Sequence, residues 1–563
     1  QRPPPTSSHF KTSSVSLTPL HCLPPSYTST GSRFMAAAAA AVQLTAIRAA
    51  CGPPARLPSR RPSTGSPIPQ HATTLTPARQ HRLCLPRAKI VMAAAAAADE
   101  AATLPVTLSA EELEETVQDA VVWASQHGLL VGASEAAPAA VVHAPMSLLP
   151  VPFPRKQFLG ARAVASSFNS MIDAVSRDSA YLKATLTAAG QDDEFTGQLL
   201  KLSEELPTPA TERVLAINRS DYMLDDPSSR MLQVELNTIA SSFGCLSNLV
   251  GKMHAYTTSR LPGGWTAGEL PDNEALQALP AALAQAASLY GGDGVVLMVV
   301  QPGERNAYDQ QWLQTNLWEA HRVRTIRRSL AEVAAQGEMK DGALWIGGKR
   351  VAVSYLRAGY TPDDYPTEVE WSGRKLLESS DAFKCPSVVY QLAGTKKVQQ
   401  DLACPGMVER FVPNAADAAK IREHFAGLWS LDDLSDPSTA EVVADAIASP
   451  NGYVLKPQRE GGGNNLYDEE LKAMLQSGKS LRAYILMQRI RPPINRSVLV
   501  RNGQWQESNS LQELGIYGTF IRVGEEVLLN ETAGHLVRTK METSNEGGVA
   551  AGFAVLDSPY LEE

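Results

Sequence analysis

The sequence predicts an α/β fold, and three neighbouring segments carry that expectation. Val295-Val-Leu-Met-Val-Val300 is a short continuous apolar run bounded by Gly294 and Pro302, the pattern of a buried strand. Residues 307–321 read as a helix. Val323-Arg-Thr-Ile-Arg327 and Val351-Ala-Val-Ser-Tyr-Leu356 then read as further strands, and strand, helix, strand at this spacing makes an α/β unit. The chain has 563 residues, enough for two or three domains around a large buried core.

Order begins near Ser109. Ser109-Ala-Glu-Glu112 is a capping box; Leu113, Val117, Val121 and Ala124 follow at helical spacing, and Gly128 stops the helix. Residues 158–188 read as one long helix with Phe158, Val164, Phe168, Met171, Ile172 and Val175 on one side. Pro262, Gly263, Gly264 and Pro271 cluster in a linker zone over 261–274. Tyr453-Val-Leu-Lys456, Tyr484-Ile-Leu-Met487 and Gly518-Thr-Phe-Ile-Arg-Val523 are strand-like, separated by loops and short helices. No internal repeat is present.

The net charge of -8 hides a split. Residues 1–98 hold eleven Lys or Arg and no Asp or Glu, so the remainder carries -19. An acidic body disfavours a nucleic-acid module. No stretch of 18 or more apolar residues is free of charge and breakers, so no membrane-spanning helix is expected. The six cysteines form no CxxC pair, which gives no zinc-site spacing. Residues 1–98 are rich in Pro, Ser and Ala and cannot build a core. An Arg- and Ser-rich, acid-free N-terminal segment is the pattern of an organelle transit peptide. Met35 and Met92 both open alanine runs. A start at Met35 gives a targeted precursor, to the plastid before the mitochondrion, and a start at Met92 gives an untargeted cytoplasmic protein.

The most informative stretch is Lys456-Pro-Gln-Arg-Glu-Gly-Gly-Gly-Asn-Asn465, which follows a strand and precedes a helix-like segment, Asp468–Leu475. Gly461, Gly462 and Gly463 leave backbone N–H groups unshielded and able to wrap an anion. Lys456 supplies a point charge for a phosphate, and Glu460 a hard oxygen for Mg²⁺. Glycines alone would make an ordinary surface turn; the flanking Lys, Arg, Glu and paired Asn tip the reading to a nucleotide site. No GxxxxGK[ST] occurs, and no GxGxxG follows a strand. A lysine on a strand entering a glycine-rich loop, with an acid and Asn for Mg²⁺, suits an ATP-grasp enzyme.

This stretch resembles the glycine-rich loop of eukaryotic-type glutathione synthetases, plant-like members included. The resemblance runs from about Phe153 to Pro559. It rests on Arg219-Ser-Asp-Tyr-Met223, Glu235-Leu-Asn-Thr-Ile239, Glu304-Arg-Asn306, Gln391-Leu-Ala-Gly-Thr-Lys-Lys-Val-Gln-Gln400, Glu513-Leu-Gly-Ile516, His535-Leu-Val-Arg-Thr-Lys540 and Gly547-Gly-Val-Ala-Ala-Gly552, in that order. It implies an ATP-grasp α/β fold with a mixed central sheet and an antiparallel lid. The catalytic region would span 105–563, with a substrate-binding subdomain around 275–390 and the lid around 450–490.

The resemblance also implies roles. Mg²⁺ would lie at Glu235, Asn237 and Glu460; two carboxylates and an amide oxygen are hard ligands. ATP would meet Lys396, Lys456, Asn465 and Lys540, with Tyr467, Met487, Gln488, Arg489 and Ile490 on the adenine side, Glu513 on the ribose hydroxyls, and Glu546 in the closing loop. γ-Glutamylcysteine would meet Arg219, Ser242, Glu304, Asn306, Gln310, Arg357, Tyr360 and Arg538, with Val549 and Ala550 near its glycine end. Arg219 and Arg538 would stabilise developing negative charge. The implied activity is ATP-driven ligation of γ-glutamylcysteine to glycine by a homodimer. The rivals are a sister ligase taking β-alanine or serine, and a nucleotide-binding regulator without catalysis. In β-alanine-using relatives a bulkier Leu-Pro pair replaces the alanines at 550 and 551, so two alanines suggest glycine.

Overall fold

The computed structural model describes residue 106 and residues 108–563, save 135–136, 207–210, 262–269, 305, 461 and 550–551; at 134 and 137–139 it describes the backbone alone. The leader with Met35 and Met92, most of the linker zone, and Gly461, Ala550 and Ala551 therefore lie outside the described residues.

The architecture is α/β around one 13-stranded mixed sheet. Its parallel part is the α/β unit read above. Val295–Val299 pairs in parallel with Thr325–Arg328 on one side and Lys349–Leu356 on the other, and Lys349–Leu356 pairs in parallel with Phe383–Cys385. Helix Ala307–Glu319 makes the crossover, and every residue of Val295–Val299 is buried, as an unbroken apolar strand requires. The first strand after the crossover begins at Thr325, so Val323 and Arg324 fall before it. The antiparallel part joins the long strands Arg213–Asp225, Gln504–Val523 and Glu526–Met541, with Arg230–Asn237 paired to the first of them. Gly518–Val523 is thus only the end of a 20-residue strand.

Both sheet faces are covered. Helix Arg155–Ser176 buries Phe158, Val164, Phe168, Met171, Ile172 and Val175 on one face. Helices Ala110–Gln126, Gly244–Thr258 and Ala275–Tyr290 pack on the other. The capping box of Ala110–Gln126 is formed: Glu112 N–H donates to Ser109 Oγ at 3.2 Å, and Ser109 N–H to Glu112 Oε2 at 2.8 Å. The single helix expected over 158–188 is two, Arg155–Ser176 and Ser179–Asp192. Asp178 separates them because its carboxylate accepts the Tyr181 N–H at 2.9 Å and caps a new helix. Cys245 and Cys385 are buried free thiols. Among the described residues no helix is long and apolar enough to cross a membrane.

A separate antiparallel sheet joins Leu428–Ser430, Tyr484–Gln488 and Tyr453–Pro457, and the last two of these strands fall in the stretch expected as the lid. It has its own small core, with Tyr453, Leu455, Leu471, Leu475 and Leu486 among its members. The packing matters because Tyr453–Pro457 carries Lys456 into the glycine-rich loop, and helix Asp468–Leu475 takes the chain out of it.

Candidate active site

Strand register builds the site. Opposite residues of an antiparallel pair point to the same face, and so do residues i and i+2. Arg219 lies opposite Asn237 and Asp221 opposite Glu235. Gly515 lies opposite Asp221, and Glu513 opposite Arg538. Four strands therefore place Arg219, Asp221, Glu235, Asn237, Glu513, Arg538 and Lys540 on one face, beneath the lid. These side chains other than the buried Asp221 line an open cleft, together with Lys396, Lys456, Glu460, Gly462, Asn465, Tyr467 and residues 487–490.

The cleft's charges are paired across elements. Lys396 begins helix Lys396–Leu402, and its Nζ donates to Glu460 Oε1 at 2.9 Å and to the Arg459 carbonyl at 2.6 Å, with Glu235 Oε2 at 3.4 Å. Burial alone would lower its pKa; the two carboxylates outweigh burial and raise it. Burial likewise opposes ionisation of Glu235, but Lys396, Lys456, Arg538 and Arg219 hold its carboxyl down at about 2. Lys456 Nζ donates to the Val234 carbonyl at 2.9 Å, and burial lowers its pKa. Glu513 forms an ion pair with Arg538, so the carboxylate expected at the ribose is already engaged by a guanidinium.

Two loops meet over the cleft. Glu546 Oε2 accepts the Gly463 N–H at 2.8 Å, and Lys540 Nζ and Tyr467 Oη both donate to the Asn545 carbonyl. Arg489 joins them as a side chain: it donates to Asp468 at 3.0 Å and to Asn545 Oδ1 at 2.8 Å, with Tyr467 beneath its guanidinium. Gln488 folds back on Gly427, whose N–H it accepts at 3.0 Å. Met487 and Ile490 line the cleft together with the apolar residues Met223, Val454, Pro492 and Leu511. Sequence reasoning missed these last four. The strand periodicity of 453–456 could have marked Val454 as a wall residue.

A second cluster adjoins the first. Arg357 Nη1 donates to the Ser241 carbonyl and Nη2 to Ser242 Oγ, both at 2.7 Å, and Arg219 Nη1 reaches the Ser242 carbonyl at 3.3 Å. Tyr360 lines the cleft, its hydroxyl accepting from Gln301. Glu304, Asn306 and Gln310 do not line it; they form a hydrogen-bonded group of their own, in which Glu304 Oε1 accepts the Asn306 N–H at 2.8 Å and Gln310 Oε1 accepts Arg327 Nη2 at 2.7 Å. Among the described residues, Arg357 Nε and Asn306 Oδ1 are buried without a hydrogen-bond partner, which leaves them available to a polar ligand. Val549 is buried at the cleft's edge.

Among the described residues no three His, Cys, Asp or Glu side chains group to hold a metal. The mixed set of Glu235, Asn237 and Glu460 is chemically suited to a hard cation. The two carboxylates flank one ammonium and keep 24% and 26% of their side-chain surface open. Asn237 Nδ2 is committed to Asp221 Oδ2 at 2.9 Å, which leaves the amide oxygen as its free end.

Comparison with known proteins agrees. The model of the eukaryotic glutathione synthase ATP-binding domain matches residues 110–561. A chloroplastic glutathione synthetase of Solanum lycopersicum is 47% identical over 474 residues, covering 81% of this chain and 86% of that one. The glutathione synthetase of Homo sapiens is 39% identical over 464 residues, covering 80% and 97%. A solved structure of a glutathione synthetase-like effector from Globodera pallida, in apo form, superposes with a TM-score of 0.65 at 22% identity, covering 81% of this chain and 98% of that one; this likeness speaks for the fold alone. With a family model spanning nearly all the described residues and relatives alike over four-fifths of its length, this chain belongs to the eukaryotic glutathione synthases, which are ATP-dependent ligases.

Proposed function

We infer that this chain joins γ-glutamylcysteine to glycine at the expense of ATP, giving glutathione, ADP and phosphate. The observation that carries the reading is the convergence in one cleft of Lys396, Lys456 and Lys540 with Glu235, Glu460 and the guanidiniums of Arg219 and Arg538. No nucleophilic side chain is needed. An oxygen of the cysteinyl carboxylate attacks the γ-phosphorus and ADP leaves, giving an acyl phosphate. The glycine amine then attacks the acyl carbon, loses a proton, and phosphate leaves. Catalysis of this kind is positioning plus charge neutralisation.

Lys396 and Lys456 are suited to the ATP phosphates, and Arg219 and Arg538 to the negative charge on the reacting carboxylate and on the tetrahedral oxygen. Arg357, Ser242 and the Glu304 cluster suit a zwitterionic peptide with two carboxylates. Glu235, Asn237 and Glu460 would hold Mg²⁺, which when bound neutralises phosphate charge. Contact between the glycine-rich loop and the 542–549 loop supports exclusion of water, which would otherwise hydrolyse the acyl phosphate.

The test is ADP release from residues 92–563 with γ-glutamylcysteine and each of glycine, β-alanine and serine. Glycine should give the highest kcat/KM. β-Alanine should be accepted poorly, because one methylene in a pocket is worth only about 1–3 kcal/mol. Replacing Ala550 and Ala551 by Leu and Pro should shift the ratio toward β-alanine. An unaltered enzyme that already favours β-alanine would overturn the glycine assignment and leave the ligase class standing. ADP release with no acceptor dependence would overturn the ligase reading.

We also propose a plastid destination for the longer form, as the name of the tomato relative suggests. Residues 35–91 carry eight Lys or Arg and no acid. A reporter fused behind them should enter plastids, and one behind a Met92 start should remain in the cytosol. Diffuse cytosolic signal from the longer fusion would refute the targeting role.

A further inference from the structure

Asp221 has no role in the scheme above, yet its fully buried carboxylate joins the residues that do. Oδ1 accepts from Arg219 Nε at 2.7 Å. Oδ2 accepts from Arg219 Nη2 at 2.8 Å, Arg538 Nη2 at 2.9 Å and Asn237 Nδ2 at 2.9 Å. Both oxygens are taken up by these four donors, so the carboxylate is not free to meet a substrate ammonium. Arg219 and Arg538 stand on the two strands that flank Gln504–Val523; like charges there repel each other, and an anion held between them removes the repulsion and fixes their separation. The surrounding backbone is shaped for this arrangement. Gly515 lies opposite Asp221, and a Cβ there would stand 2.8 Å from Asp221 Oδ1 and 2.9 Å from Arg219 Cδ.

We propose that Asp221 is a positioning residue: it locks Arg219 and Arg538 as one rigid pair, so that their charges meet the carboxylate and tetrahedral oxygens without rearranging during the reaction. The bidentate fork fixes Arg219 in two directions, and the third contact ties Arg538 to it. Glu513 Oε1 accepts from the same Arg538 Nη2, so two carboxylates share that nitrogen. Misplacement by about 1 Å can cost on the order of a hundred-fold in rate, so the pair's geometry matters as well as its charge. The proposal rests on the ligase reading. It differs from a plain structural role, in which Asp221 would only neutralise the buried Arg219.

The experiment compares the wild type, Asp221→Asn, Arg538→Lys and the double variant in ADP release, with thermal unfolding alongside. Acceptor-dependent turnover of the wild type tests the ligase reading by itself; the proposal is judged on the variants relative to it. Asp221→Asn should lower kcat about a hundred-fold while the KM for ATP changes less than about threefold. The double variant should fall within about threefold of the worse single variant, because each change unlocks the same pair. A wild-type kcat in Asp221→Asn, or losses that multiply in the double variant, would overturn the proposal. Gly515→Ala covers the case in which Asp221→Asn fails to fold. Its methyl displaces the Asp221–Arg219 pair without removing charge, and it should show the same loss of kcat at nearly constant KM for ATP. Unchanged kcat in soluble Gly515→Ala would equally sink the idea.

Discussion

Glu460→Gln is expected to lower kcat by about 10³-fold, close to 4 kcal/mol of transition-state stabilisation, while the protein stays folded. The exchange keeps the side chain's shape and removes its charge. The fold should tolerate it because Lys396 Nζ keeps the Arg459 carbonyl at 2.6 Å and Glu235 at 3.4 Å. The chemistry should not, because the proposed cation site loses one of its two carboxylates where the triphosphate most needs neutralising. Steady-state ADP release across a Mg²⁺ series, with circular dichroism as the fold control, reads out both parts. Turnover like that of the wild type at ordinary Mg²⁺ would remove Glu460 from the metal site.

Lys396→Met should weaken both the ligand-free protein and its hold on ATP. In the wild type the Lys396 ammonium lies between Glu235 and Glu460. Burial raises the carboxyl pKa of Glu235, and the nearby cations, Lys396 first among them, reverse that and hold it at about 2 against an ordinary 4.5. A depressed carboxyl pKa contributes stability that is complete above about pH 4.5 and is lost as the pH falls through about 2. The full shift is worth about 3 kcal/mol. At pH 7 the variant should lose the share of that stability that Lys396 contributes beside Lys456, Arg538 and Arg219, and its unfolding midpoint should change less than that of the wild type between pH 4.5 and pH 2. Its KM for ATP should rise at least about tenfold, since the buried cation proposed for the ATP phosphates is gone. Equal stability and equal KM would show that Lys396 holds neither the carboxylates nor the nucleotide.

What could be read without tertiary information was whatever depends on near neighbours in the chain. The Ser109–Glu112 capping box closes over three residues. The strand Tyr453–Pro457, the loop after it and the helix Asp468–Leu475 are consecutive, so Lys456 and Glu460 belong visibly to one strand–loop–helix unit. The apolar run before Pro302 announces its burial by composition alone. Gly518-Thr-Phe-Ile-Arg-Val523 was legible as a strand, but the polar first half of Gln504–Val523 hides the rest, because Gln, Glu, Asn and Ser on an exposed segment carry no apolar alternation.

The tertiary structure alone decided which of these pieces meet. Asp221 and Arg538 are 317 residues apart in sequence and 2.9 Å apart in space, and nothing local to either predicts the other. Their meeting depends on register: sliding Gln504–Val523 by one residue against Arg213–Asp225 would turn Glu513 to the opposite face and move Gly515 away from Asp221. Register is fixed by long-range pairing and by the packing of both sheet faces, to which the alternation within one strand contributes only parity. The same holds for Lys396, brought between Glu235 and Glu460 by a helix packed beneath the lid, and for Glu513, turned toward Arg538 by its cross-strand position. The sequence by itself determined the α/β class, the glycine-rich loop and the family; the folded sheet decided the charge pairs of the site, because a side chain's electrostatic partners are set by which strands lie side by side.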